Sequence, residues 1–132
     1  MQPAATSKAA LPILLIEDES SVRAFLRAAL ERRGYAVEQA ASGAEGISRL
    51  SRESFSGVIS DIRMPGEFNG ADVHAWIQEN RPELCGRIIL ISGDTANSET
   101  QGLLASTTTP CLEKPFRVQQ LISIVETTFG KP

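Results

Sequence analysis

Residues able to act on a charged group stand where short apolar runs stop. Glu17 and Asp18 follow PILLI at 12–16, Asp61 ends the run Val58-Ile59-Ser60, Ser92 ends RIILIS at 87–92, and Lys114 follows Cys111-Leu112-Glu113. The set holds a nucleophilic carboxylate, oxygen ligands for a metal, a hydroxyl and an ammonium. Phosphoryl transfer calls for those parts, because it needs positioning and charge neutralisation around the moving oxygens. Carboxylates form acyl-phosphate intermediates. Three acids at one edge repel unless a cation offsets them, and an all-oxygen ligand set suits Mg²⁺. A plainer role is open for each group. Glu17-Asp18-Glu19 can serve the start of the next helix, where negative charge is favoured by up to ~1 kcal/mol. Ser92 can be a turn residue and Lys114 a surface lysine. The only histidine, His74, falls inside a helix as a surface or packing residue. That leaves no histidine base for a hydrolase.

The elements that must position these groups follow from periodicity. The apolar run 12–16 is too short for a buried helix and suits a strand covered on both faces. Ser20 or Ser21 can cap a helix in which Val22, Phe25, Leu26, Ala29 and Leu30 share one face, with Arg23, Arg27, Glu31 and Arg32 opposite. Gly34 ends it. Residues 35–40 read as a second strand, and Ser42-Gly43 start a weaker helix through Ile47 and Leu50. The third strand runs from Gly57 to Asp61, and 66–70 is a loop. A helix over 71–80 carries Val73, Trp76 and Ile77, and 87–92 is the fourth strand, broken at Gly93-Asp94. Residues 98–105 contain Gly102 and only Leu103 and Leu104 as anchors, which predicts a short, mobile helix. A fifth strand at 111–113 precedes a final helix with Val118, Leu121, Ile122, Val125 and Phe129 on its stripe.

Strands and amphipathic helices thus alternate, which calls for a doubly wound parallel sheet with helices on both faces and right-handed crossovers. Parallel order puts every strand's C-terminal end on one edge, so four scattered segments meet in one shallow pocket.

Composition narrows the rest. At 132 residues the chain is one domain, long enough to bury a core without staples. A net charge of −3 gives no basic patch for nucleic acid. No apolar run approaches the ~20 residues of a membrane span, and the first ten residues, without a long apolar core or a charged start, do not read as a signal peptide. Cys85 and Cys111 make neither a disulfide framework nor a metal spacing, which points to the reducing cytoplasm.

At this point the chain resembles the receiver domain of two-component response regulators. The resemblance spans about residues 11–129 and rests on ILLIEDE, VISDIRMPG, LISGD and LEKPF, in order. It implies a flavodoxin-like (βα)5 fold with strand order 2-1-3-4-5. Asp61 would accept a phosphoryl group from a phosphohistidine on a histidine kinase or phosphotransfer protein, in a Mg²⁺-dependent reaction. Asp18 would hold Mg²⁺ directly, Glu17 directly or through water, and the backbone carbonyl of Arg63 would be a further ligand. Ser92 and Lys114 would each bond a phosphoryl oxygen, with a cis Lys114-Pro115 bond. The domain would occupy 11–130, after a flexible tail at 1–10 and without an output domain. It would act as a phosphorylatable signalling module rather than a turnover enzyme, changing its interaction surface. Homodimerisation stays open. The sequence SGDT with TTTPCLEKPF is similar to receivers attached to hybrid kinases.

Three features depart from the family pattern. Cys111 stands where a switching aromatic is usual. The loop MPGEFNG is one residue longer than the common form, and Gly102 weakens the fourth helix. A docking-only pseudo-receiver draws mild support from Cys111, while intact Asp61, Asp18, Ser92 and Lys114 argue against it. An aspartyl phosphatase would need an Asp-x-Asp after its first strand, which Glu17-Asp18-Glu19 does not supply. A flavin phosphate after the first strand would meet three acids.

Overall fold

The computed structural model describes residues 11–93 and 98–132. Five strands, β1 (Ile13–Ile16), β2 (Val37–Ala40), β3 (Gly57–Asp61), β4 (Ile88–Ser92) and β5 (Cys111–Glu113), form one sheet in the order β2-β1-β3-β4-β5. Every neighbouring pair is parallel. The helices are α1 (Ser20–Arg33), α2 (Gly43–Leu50), α3 (Gly70–Asn80), α4 (Ser98–Ser106) and α5 (Val118–Phe129), with a 3-10 turn at Pro82–Leu84. This is the flavodoxin-like order that the resemblance implied.

The apolar runs form strands because each alternate side chain finds a covered face. Ile13, Leu15, Ile59, Ile89 and Ile91 join Leu26 and Leu30 of α1 and Leu121 and Val125 of α5 in one buried cluster. Leu14, Ile16, Val58, Ile88 and Leu90 join Leu50, Val73 and Ile77 of α2 and α3 on the other face, where Leu103 and Leu104 of α4 also pack. Strands buried on both sides read as continuous apolar runs rather than alternating ones.

Several boundaries differ from the sequence reading. The cap position of α1 is Glu19, in extended backbone, and neither Ser20 nor Ser21 fills it. The Glu19 amide is instead taken by the Glu17 carboxylate, at 3.1 Å. Tyr35 lies outside β2: its amide bonds the Leu30 carbonyl closing α1, and its hydroxyl donates to the Gly130 carbonyl at 2.6 Å. Gly34 does end α1, with φ at 113°. Phe25 and Val118, read as stripe residues, are 46% and 43% exposed, because they sit at the outward edge of stripes whose centres meet the sheet. The fourth helix forms over nine residues despite Gly102. His74 is a packing residue, buried and bonded through Nε2 to the Thr109 hydroxyl at 2.9 Å, which ties α3 to the connector before β5. Asp94 and the tail at 1–10 lie outside the described residues. No described helix is long and apolar enough to cross a membrane.

α3 begins one residue earlier than its apolar spacing suggested, at Gly70, behind a capping box in which Asn69 and Asp72 exchange side-chain to backbone bonds. The Gly70 amide donates to the Ile62 carbonyl at 2.8 Å, drawing the helix start against the end of β3. A Cβ at Gly70 would stand 2.3 Å from the Asp61 carbonyl oxygen and 2.6 Å from the Ile62 Cα.

These contacts give opposite expectations for two glycines. Gly70→Ala forces backbone against backbone and should destabilise the fold by about 1–3 kcal/mol in urea unfolding. Gly102→Ala has open space within 4 Å and should stabilise it by up to ~1 kcal/mol through helix propensity. A neutral Gly70→Ala would refute the close approach.

Candidate functional site

Strand register brings the chemistry-bearing residues to one sheet edge. Ile16 pairs with Ser60, so Glu17 follows β1 at the level of Asp61. Asp61 pairs with Ile91, so Ser92 stands one residue beyond it on β4. Ser92 pairs with Glu113, and its carbonyl accepts the Lys114 amide at 2.7 Å. β1, β3 and β4 are paired on both sides, and β5 is paired with β4.

At that edge the side chains converge. Glu17, Asp18 and Asp61 each place a carboxylate oxygen within 4.8 Å of the others. Glu17 is fully buried and Asp61 is 5% exposed. Lys114 Nζ reaches over both, 2.8 Å from Asp61 Oδ2 and 3.3 Å from Glu17 Oε1. The Arg63 amide donates to Asp61 Oδ1 at 3.3 Å, so Arg63 lies against the acid through its backbone. The Lys114-Pro115 peptide bond is cis. Glu17, Asp18, Asp61 and Lys114 are therefore joined by direct distances, and Ser92 and Arg63 reach the same edge through register and backbone.

The electrostatics follow from burial. Desolvation pushes the Glu17 carboxyl up to about 7, and the Asp61 charge adds to it, against the Glu19 amide and Lys114. Burial alone would lower the Lys114 ammonium, but the hydrogen bond and charge of Asp61, joined by Glu17, hold its pKa above the usual lysine range. One ammonium does not fully offset the acids. The residual negative charge and the all-oxygen donor set fit a divalent cation such as Mg²⁺.

Two features were not legible from spacing. Arg23, placed on the polar face of α1, turns back so that Nη1 donates to the Glu17 carbonyl at 2.7 Å. A long donor five and six residues after two strand-end acids was the available signal. Beside Lys114, an apolar hollow is lined by Val22, Phe25, Gly93, Pro115 and Phe116, with the two phenyl rings 6.3 Å apart. Cys111 is half-buried against the α2–α4 face, and burial pushes its thiol pKa up.

Comparison with known proteins adds independent findings. The family model described as the response regulator receiver domain matches residues 13–126. A response regulator receiver protein of Brucella abortus, CpdR, is 36% identical over 114 residues, covering 86% of this chain and 92% of that one. The sensor kinase CckA of the same organism is 33% identical over 123 residues, 90% of this chain but 12% of the kinase. The fold matches the receiver domain of a sensor histidine kinase from Pseudomonas aeruginosa, solved with a magnesium ion coordinated in its active site cleft. That match has a TM-score of 0.81 at 23% identity and covers 93% of this chain and all of that one.

The raised Glu17 pKa has a signed consequence. Because the folded value of about 7 exceeds the ordinary 4.5, its contribution to stability is full below about pH 4.5 and is lost as pH rises through about 7. Without divalent cations, the wild type should lose on the order of 2 kcal/mol between pH 5 and pH 8. Glu17→Gln should flatten that slope and raise the Tm at pH 8 by roughly 3 °C or more. Parallel pH profiles for the two proteins would contradict the assignment.

Proposed function

Because the chain belongs to the response regulator receiver domain family, whose function is aspartate phosphorylation in two-component systems, we propose that Asp61 is its phosphoacceptor. The observation that carries this reading is the Lys114 ammonium at 2.8 Å from an Asp61 carboxylate that sits among two further acids.

An Asp61 oxygen attacks the phosphorus of a phosphohistidine. The new O–P bond forms as the P–N bond breaks, and the departing imidazole nitrogen keeps the electron pair and takes up a proton. Lys114 holds Asp61 in place beforehand and then pairs with a phosphoryl oxygen. The Ser92 hydroxyl, one residue past Asp61's partner on β4, bonds another. Glu17, Asp18 and Asp61, with the backbone carbonyl of Arg63, would hold Mg²⁺. When bound, that ion supplies positive charge to the phosphoryl oxygens as they transfer. Full burial of Glu17 and its raised pKa support the ligand set, since a cation relieves both.

The donor in this reading is a histidine kinase or a histidine phosphotransfer protein, as in the family. The hollow around Phe25 and Phe116 supports a protein donor, because it places exposed apolar surface beside Lys114. The module modifies itself rather than turning over a substrate, and it works in the cytoplasm without direct nucleic-acid binding. The phosphoryl group changes its surface through the backbone around Ser92. A swinging ring at Cys111 plays no part.

Incubation with acetyl phosphate and Mg²⁺ should raise the intact mass by one phosphoryl group in wild type and leave Asp61→Asn unchanged. An unlabelled wild type, beside a control receiver that labels, would remove the proposal in favour of a docking-only domain. Lys114→Ala should still bind Mg²⁺ in an NMR titration while losing most of the shift changes that phosphorylation produces. Equal loss of both would contradict the role given to Lys114.

A further inference from the structure

The turn from β1 into α1 carries Glu17 and Asp18, and its shape decides where their carboxylates point. It lacks the usual fastening, because the cap residue Glu19 makes no side-chain cap bond. One residue of the first helical turn supplies the fastening instead. The Arg23 amide donates to the Glu19 carbonyl at 2.9 Å. Its guanidinium Nη1 donates to the Glu17 carbonyl at 2.7 Å and stands 3.4 Å from the Asp18 carbonyl. Three consecutive carbonyls are thus gathered by one side chain and its own backbone. On the other side of the same turn, the Glu17 carboxylate closes on the Glu19 amide at 3.1 Å.

We infer that Arg23 is a positioning residue for the acid site, its guanidinium clamping the Glu17 and Asp18 carbonyls so that both carboxylates keep the geometry that a divalent cation requires. This rests on the Mg²⁺-dependent reading of the Asp61 site. The choice of arginine has a physical reason. Nη1 of a permanently charged guanidinium carries two hydrogens in one fixed plane, which suits a single atom placed between two adjacent carbonyls, whereas an ammonium is a freely rotating point donor. The sign of the effect separates positioning from mere charge. A guanidinium near a cation site repels the cation, so a purely electrostatic Arg23 would weaken Mg²⁺ binding and its loss would tighten it. A clamp does the opposite. Groups that orient metal ligands are commonly worth 10- to 100-fold in affinity.

The test measures the Mg²⁺ dissociation constant by NMR titration of the full chain, with Tm recorded alongside. Arg23→Met should weaken Mg²⁺ by about fivefold or more. Arg23→Lys, with the charge unchanged, should weaken it by about twofold or more and should bind better than Arg23→Met. Arg27→Met is the control: it removes the same charge one turn along α1, where Arg27 pairs with Glu31, and should not weaken binding. In the metal-free protein the Glu19 amide should exchange with solvent faster in both Arg23 variants. Unchanged or tighter Mg²⁺ binding in Arg23→Met overturns the clamp while leaving the site reading intact. Should Arg23→Met not fold, wild-type affinity in Arg23→Lys overturns it equally. A folded wild type whose Glu17, Asp18 and Asp61 resonances do not respond to Mg²⁺ overturns the site reading and the clamp with it.

Discussion

Carboxylates crowded at the end of a parallel sheet repel one another, and the structure is arranged around bearing that repulsion. Glu17 and Asp61 are buried by flanking strands that leave little water to screen them. Lys114 is their counter-charge, and β5 holds it there because the Lys114 amide is fixed to the Ser92 carbonyl of β4. A buried ion pair of this kind is weak evidence for stability, since desolvation consumes much of the attraction. What it does is fix the place of the acids it bridges, with Lys114 Nζ 2.8 Å from Asp61 and 3.3 Å from Glu17. The Glu17 pKa near 7 comes first from burial and then from the Asp61 charge, which the ammonium and the Glu19 amide only partly offset.

The sheet was legible from the chain because doubly covered strands leave an unmistakable mark. PILLI and RIILIS each contain more apolar side chains in succession than a half-exposed strand would tolerate. Asp61, Ser92 and Lys114 were found where short apolar runs stop, and parallel order then collected them. What spacing could not supply was which edge of an apolar stripe meets a neighbour. Phe25 shares a helical face with Leu26 and Leu30, yet the latter two are fully buried and Phe25 is 46% exposed. A period of 3.6 defines a face but not the width that its partner covers. Arg23 escaped for a different reason. Its polar-face position is real, but a side chain that long can reach backbone groups outside its own helix.

Cys111 of β5 is a half-buried thiol close to the sheet edge that carries Asp61. Cys111 pairs with Leu90 in the sheet and packs with the α2–α4 cluster. Its side chain has a single rotatable bond to a small atom and cannot sweep between buried and exposed positions as an aromatic does. Beside Asp61, the end of β4 is linked to β5 by the bond from the Lys114 amide to the Ser92 carbonyl, without help from Cys111.

The bond between His74 and Thr109 ties the connector after α4 to α3. Thr107 and Thr109 hold each other at 2.9 Å, and the Pro110 carbonyl is engaged by the Leu90 amide, so the exit from α4 is anchored to both α3 and the sheet. A shift of that exit would strain the bonds to both, so α3 and β4 would feel it together.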